Sequence, residues 1–153
     1  NNKISAIGVS GLGSVLPNLT NLSNLTLNLI SNLIGPQGTS SLGSSLGKCT
    51  NLSNLTLYLD DDQIRDEGIV DLCSGLGKCT KLSNLTLIFE SYFINYEYTK
   101  GLSSGLRKCT NIQNLTLNFK NRWTQMKNQK QLKTECLKSK RLVVLQITYN
   151  KIL

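Results

Sequence analysis

The chain has 153 residues and a formal net charge of +8 at pH 7, so it is long enough to bury a continuous core and is basic overall. It contains no apolar run long enough for a transmembrane helix, and residues 1–16 lack the basic-then-apolar order of a signal peptide. Because there is no His, the commonest general base and metal ligand is missing. We therefore expect no catalytic residue, no metal, no cofactor and no small-molecule substrate.

A repeat of 30 residues organises the chain, and it runs without drift from one end to the other. Its apolar positions form columns of equivalent residues. Two columns are Leu12, Leu42, Leu72, Leu102, Leu132 and Leu16, Leu46, Leu76, Leu106, Cys136. Three more are Leu22, Leu52, Leu82, Ile112, Leu142, then Leu25, Leu55, Leu85, Leu115, Leu145, then Leu27, Leu57, Leu87, Leu117, Ile147. Periodicity of this length indicates a stacked solenoid.

Each unit changes its hydrophobic period once along its length. Leu25, Leu27 and Leu29 alternate, which predicts a strand with one buried face. The spacing of Leu42, Leu46 and Cys49 is i, i+4, i+7, which predicts a helix with an inner stripe. We expect Gly38 and Gly68 to open the helices of their units. A strand, loop, helix and return turn would then stack on the next unit, with parallel strands on one face.

This pattern resembles a known family. Leu22-x-x-Leu25-x-Leu27-x-Leu29-x-x-Asn32-x-Ile34-x-x-x-Gly38-x-x-x-Leu42 is similar to the leucine-rich repeat in its longer, ribonuclease-inhibitor-like form. The Asn-, Leu- and Lys-rich composition also resembles repeat arrays of ciliated protists. The resemblance implies an α/β leucine-rich-repeat solenoid of about five 30-residue strand-loop-helix units. It would have a concave parallel sheet and short convex helices. We expect residues 1–153 to be a single domain and a fragment of a longer array without caps.

The third and fourth units depart from this pattern. Tyr92 and Tyr98 replace the motif Asn and Gly in the third unit, and Arg122 replaces the Asn in the fourth. The motif Asn implies hydrogen bonds to the loop backbone, so we expect irregular loops where it is missing.

Outward-facing strand columns divide into constant and variable sets. Asn24, Asn54, Asn84 and Asn114 are constant, as are Thr26, Thr56, Thr86 and Thr116, and we expect them to stack along the sheet. The following positions vary, which is where a solenoid would acquire specificity. The candidate partner-binding residues are Tyr58, Asp60, Asp61, Ile88, Glu90, Tyr92, Asn118, Lys120, Arg122 and Trp123. An alternative is that the loop aromatics cover their own repeat's core.

Charge is distributed unevenly along the chain. Residues 61–100 carry four basic and seven acidic side chains, whereas residues 101–153 carry eleven basic side chains against Glu135. The candidate basic patch contains Lys127, Lys130, Lys133, Lys138, Lys140 and Arg141. A solvated convex helix explains such a run, and nucleic acid or an anionic membrane surface is the rival partner.

The five cysteines favour a reducing, intracellular setting. Cys49, Cys79 and Cys109 share one column, where we expect small buried residues and no disulfide. We interpret the Asn-x-Ser/Thr sequons as a by-product of the repeat.

Three functions remain open from the sequence. The first is a protein-protein interaction module or scaffold in a large assembly, cytoplasmic and either cytoskeletal or ciliary. The second is a regulatory subunit resembling leucine-rich GTPase-activating proteins, which would use Asp61, Asp62 and Asp66. The third is binding of an anionic polymer or membrane surface through residues 107–141.

Overall fold

A computed structural model describes residues 2–60, 64–90, 93–94, 96–121, 123–124, 126–138 and 141–151. Within these ranges the helices are α1 (Ser5–Val15), α2 (Gly35–Leu46), α3 (Arg65–Leu76), α4 (Tyr96–Leu106) and α5 (Met126–Cys136). A 3₁₀ turn, Leu16–Asn18, follows α1. The strands are β1 (Asn24–Asn28), β2 (Asn54–Asp60), β3 (Asn84–Glu90), β4 (Phe93–Ile94), β5 (Asn114–Asn121), β6 (Trp123–Thr124) and β7 (Val144–Lys151).

The main sheet is parallel and follows the order of the chain. Its five strands lie in the order β1-β2-β3-β5-β7, and every pair joins residues that are 30 positions apart, such as Leu25 with Leu55. The helices pack in the same sequence, α1 on α2, α2 on α3, α3 on α4 and α4 on α5. This arrangement confirms the predicted solenoid of strand-loop-helix units.

Stacking the units buries the predicted leucine columns. Leu42, Leu72, Leu102 and Leu132 are fully buried on the helices, and Leu57, Leu87 and Leu117 are fully buried on the strands. The equivalent residues of the outer units, such as Leu27 and Ile147, are only partly buried. Each unit therefore completes the core of its neighbours.

The helices begin earlier than the sequence pattern predicted. Gly38 and Gly68 do not open them, because α2 begins at Gly35 and α3 at Arg65. Both glycines lie one turn inside, buried, where the preceding unit comes close. A Cβ on Gly68 would lie 3.0 Å from Pro36 Cα. These glycines are therefore contact points between units and not helix starts.

Other helix glycines also allow close packing between units. A Cβ on Gly43 would lie 2.6 Å from Leu72 Cα, and one on Gly75 would overlap the backbone of Gly43. Glycine inside a helix costs about 1 kcal/mol relative to alanine. Here the backbones of α2 and α3 touch as a result, and packing between units compensates for poor helix propensity.

Two aromatic features lie where the third and fourth units depart from the motif. Phe89 stacks on Phe119 and Phe119 on Tyr149, each pair with ring centroids 5.3 Å apart. Tyr98, at the motif Gly position, is buried and meets Phe89 edge-on at 5.7 Å. The loops also contain the short parallel pair β4-β6, which the sequence did not predict. Tyr98 therefore covers its own repeat's core, as the alternative interpretation proposed.

The close contact at Gly75 predicts that a side chain at this position lowers stability. Gly75→Ala should lower the free energy of unfolding by about 1–3 kcal/mol, because the new methyl group overpacks the interface between α2 and α3. Gly11→Ala is the matched control, since nothing lies within 4 Å of its added Cβ. The control should raise stability by about 0.5–1 kcal/mol through helix propensity. Urea unfolding measures both, and equal effects of the two substitutions would contradict the packing argument.

Candidate protein-binding surface

One face of the main sheet is open to solvent. Leu55, Leu57 and Leu59 point into the core, whereas Asn54, Thr56 and Tyr58 point away from the helices and are partly exposed. The same alternation holds in β3 and β5. We call the outward side the sheet face; it is formed by the residues that register with Asn54, Thr56, Tyr58 and the backbone of Asp60.

A ladder of asparagine amides crosses the sheet face. Asn54 donates to Asn24 over 2.6 Å, Asn84 donates to Asn54, and Asn114 donates to Asn84. Each inner amide also donates to the Ser that precedes it, at 3.1 Å in both units. The predicted stacking of these amides is therefore present. Most hydrogen-bonding groups of these side-chain amides are therefore already paired within the ladder, and few remain to bind a ligand.

The variable positions form a row beside this ladder. Strand register aligns Asn28, Tyr58, Ile88 and Asn118, so that an aromatic and an aliphatic side chain are neighbours in the middle of the sheet face. Tyr58 and Ile88 are both partly exposed. In this row Tyr58 and Ile88 are large apolar groups between two amides, and Val144 on β7 is a further exposed apolar residue of the same face.

An ion pair borders this row at the strand ends. Lys120 Nζ lies 2.8 Å from Glu90 Oε1, and the two side chains are 40% and 34% exposed. Register places Glu90 opposite Lys120 on adjacent strands. The sequence predicts Glu90 and Lys120 as binding residues, but it does not predict the ion pair between them. The 30-residue spacing between them could have shown the pairing.

The other predicted binding residues cannot be added to this surface. Asp61, Tyr92 and Arg122 lie outside the described residues. For Asp60 and Trp123 the backbone belongs to β2 and β6, and their side chains lie outside the described part. The sheet face therefore comprises Tyr58, Ile88, Asn118, Glu90 and Lys120 from the predicted set.

The predicted basic patch separates into two regions. Lys130 and Lys133 are exposed on α5, whereas Lys138 and Arg141 are exposed in the turn after it. Lys127 belongs to α5 with its side chain outside the described part, and Lys140 lies outside the described residues. Leu132 and Cys136 are buried beneath, as the helical spacing predicted.

The motif Asn of the first full unit braces its loop. Asn32 is buried and donates from its amide to the Ile30 carbonyl over 2.9 Å. Its side-chain oxygen accepts from the Asn2 backbone N–H at 3.2 Å, one repeat earlier. This matches what the resemblance implied for that residue.

All five cysteines are buried free thiols, and Cys49, Cys79 and Cys109 are small buried residues, as their shared column predicted. Cys79 donates from its thiol to the Leu46 carbonyl over 3.1 Å, and Cys109 donates to the Cys73 carbonyl over 3.3 Å. Burial is the main cause that raises the pKa of Cys79, Cys109 and Cys136 to about 12. These thiols are structural and poorly nucleophilic.

No helix in the part of the chain that the structure describes is long and apolar enough to cross a membrane. In the same ranges no cluster of His, Cys, Asp or Glu could hold a metal ion.

The geometry defines a leucine-rich-repeat solenoid. A solved structure with this architecture, the C-terminal domain of tropomodulin from Caenorhabditis elegans, is similar to the chain with a TM-score of 0.54. The match covers 91% of this chain and 81% of that one, at 15% sequence identity. No family model and no curated protein matches the sequence. At this identity the likeness concerns the fold alone.

The asparagine ladder predicts a position-dependent cost. Asn84→Ala removes one donated and one accepted ladder bond, whereas Asn24→Ala removes only the accepted one. Both substitutions also remove the bond to the preceding Ser, so Asn84→Ala should destabilise by one hydrogen bond more than Asn24→Ala, about 0.5–1.5 kcal/mol. Urea unfolding of the two variants measures this difference. Equal small losses would mean that water replaces the ladder at no cost.

The buried thiols predict alkaline destabilisation. The unfolded chain loses thiol protons from about pH 8.5, whereas the folded thiols keep theirs up to about pH 12. Their contribution to stability is therefore complete below pH 8.5 and is lost as the pH rises towards 12. Denaturant midpoints between pH 7 and 10 should fall, and fall less in a Cys79→Ala, Cys109→Ala variant. An identical slope in that variant would rule out thiol ionisation as the cause.

Proposed function

We propose that this protein is a non-catalytic protein-binding module that contacts its partner through the sheet face. The observation that supports this most directly is the row Asn28, Tyr58, Ile88 and Asn118, which registers across four neighbouring strands. The strands are parallel and hydrogen-bonded on both sides in the middle of the sheet, so the row is held on a rigid platform. A preorganised surface loses little conformational entropy when it binds.

The centre of this row has the character of an interface core. Tyr58 and Ile88 together present aromatic and aliphatic surface that a partner could desolvate. Tyrosine is among the residues enriched at binding hot spots, and such anchors are surrounded by polar groups that exclude water. Asn28 and Asn118 at either end of the row supply that polar surround.

The Glu90–Lys120 pair gives the surface a direction. The pair is partly exposed, so it contributes little to stability. Its two charges lie on the same two strands as Ile88 and Asn118, and so beside one end of the row. Complementary charges on a partner would fix orientation and raise the association rate more than the affinity.

Several finer assignments belong to this proposal. The long leucine pattern favours the ribonuclease-inhibitor-like subclass, and the Asn-, Leu- and Lys-rich composition favours a likeness to the repeat arrays of ciliated protists. Five free buried thiols suit an intracellular, cytoplasmic setting, where thiols stay reduced. A scaffold role in a larger assembly, cytoskeletal or ciliary, is compatible with a long platform of this kind.

Affinity purification from native extract with the immobilised chain tests the sheet face. We expect a discrete protein to be retained at high salt and to be lost with the double substitution Tyr58→Ala and Ile88→Ala. High salt screens exposed charges and leaves apolar contacts intact, so it isolates the contribution of this pair.

The matched control substitutes the same residue types away from the sheet. Ile7 on α1 and Tyr96 on α4 are 85% and 46% exposed, so Ile7→Ala with Tyr96→Ala removes the same residue types, and more exposed surface, from the helices. The control should retain the protein. Loss of binding in the control, or retention in the sheet-face variant, would contradict the assignment of this surface.

A further inference from the structure

A column of lysines follows the helices at the return turns. Lys48, Lys78, Lys108 and Lys138 each stand two positions after the last residue of α2, α3, α4 and α5. All four are exposed. Because the units stack in register, the lysines form a row along the edge of the solenoid where helices end and strands begin. This edge lies beside the sheet face and is distinct from it.

The row is part of a broader concentration of positive charge. The four turn segments 47–51, 77–81, 107–111 and 137–141 contain eight of the chain's 17 basic residues and no acidic residue. Seven of the eight belong to the described part, and all are exposed; we call them the basic ridge. They are Lys48, Lys78, Lys81, Arg107, Lys108, Lys138 and Arg141.

Neutral side chains hold several of these cations in place. Lys81 Nζ donates to Asn51 Oδ1 over 2.6 Å, and Arg141 donates to Asn111 Oδ1 over 3.0 Å. Lys108 Nζ donates to Ser74 Oγ over 2.9 Å. Each contact bridges to the preceding unit. Such contacts orient the cations along the ridge and leave their charge uncompensated.

Among the residues that the structure describes, one carboxylate contacts the ridge, at its C-terminal end. Glu135 contacts Lys138, and it lies 3.6 Å from Arg107. No other ion pair among the described residues involves a ridge cation. Within the described part of the chain, Lys48, Lys78 and Lys108 therefore have no carboxylate partner.

A simpler explanation accounts for only part of this pattern. A lysine after a helix is favoured by the partial negative charge of the helix C-terminus. That effect acts on each lysine singly, and it gives no reason for Lys81 or Arg141, which precede the strands. Like charges on adjacent units repel one another, so a row of them lowers stability unless something anionic lies against it.

We propose that the basic ridge binds an extended acidic segment of a partner protein. Side chains on one face of an extended chain repeat about every 6.7 Å. Adjacent units are about 4.8 Å apart at the strands and 8–10 Å apart at packed helices, and the turns join the two layers. Alternate Asp or Glu residues of a strand-like segment would therefore meet successive cations.

The chemistry of the ridge favours a protein over the other polyanions. Single-stranded nucleic acid is held by aromatic stacking as well as charge, and the four turn segments contain no aromatic residue. A membrane surface would need apolar side chains among the cations, and Leu137 is the one exposed apolar residue in the described part of these turns. The ridge does not depend on the sheet-face proposal, because it uses other residues.

Fluorescence anisotropy with the full chain tests the ridge. The probe is a labelled peptide of alternating Glu and Ser, about twelve residues long, which would span roughly 40 Å when extended. The ridge variant carries Lys48→Gln, Lys78→Gln and Lys108→Gln. The control carries Lys100→Gln, Lys130→Gln and Lys133→Gln, three exposed lysines on the helices that give the same net charge. Thermal melts verify that both variants fold.

At physiological salt we expect the ridge variant to bind the peptide at least about tenfold more weakly than the unmodified chain. The control should change by about twofold or less, since charges beyond about 8 Å are screened. Tyr58→Ala with Ile88→Ala should leave peptide binding unchanged, which separates this result from the sheet-face proposal. Equal losses in ridge variant and control would overturn the ridge. Tighter binding of an oligothymidine of equal length, or of phosphatidylserine vesicles, would overturn the choice of a protein partner.

Discussion

No unit of this protein can bury its own apolar side, so each one depends on the unit 30 residues away. The strand leucines of one repeat meet the strand leucines of the next at fixed register, and the helix leucines do the same on the other layer. A shift of one residue would turn a strand's leucines to solvent, so the register is strongly specified. The glycines of the helices serve the same constraint. They weaken each helix by itself, yet they let α2 and α3 approach until their backbones touch. Stability therefore resides between units more than within them.

The register that builds the core also builds the surface. Any residue type that recurs at one position becomes a row across the molecule, whatever its chemistry. Asparagines at one position become a hydrogen-bonded ladder, and Phe89, Phe119 and Tyr149 become an aromatic stack. Lysines after the helices become a charged edge. In the first two rows each side chain interacts favourably with its neighbours, because the amides hydrogen-bond and the rings stack. A lysine row cannot do so, because like charges on adjacent units repel one another.

The sequence predicted the units, the strands and the parallel sheet. The leucine columns recur at every repeat, so only one strand register buries all of them. The sequence misplaced the start of the helices, since Gly38 and Gly68 look like helix openings until the neighbouring backbone beside them is known. It missed the β4-β6 pair, because two-residue strands in variable loops carry no periodicity. Glu90 and Lys120 were predicted as two separate binding residues. Comparing residues 30 positions apart would have predicted that they pair with each other. The same comparison of residues 30 positions apart predicts the lysine row. The sequence-based basic patch instead contains lysines that are close together in the chain, so it does not include the row as a whole.

The two proposed surfaces differ in the physics by which each would recognise a partner. Tyr58 and Ile88 act at short range, since apolar surface contributes only when a partner removes it from water. The ridge acts from a distance, since its uncompensated cations attract an acidic segment over about a Debye length, roughly 8 Å in physiological salt. Charge of this kind raises association rates, whereas buried apolar contacts slow dissociation. Because the return turns lead directly into the strands, a segment drawn to the ridge would arrive beside the start of the sheet face. A partner with an acidic strand next to an apolar anchor would satisfy both surfaces, and one lacking either feature would engage only one of them.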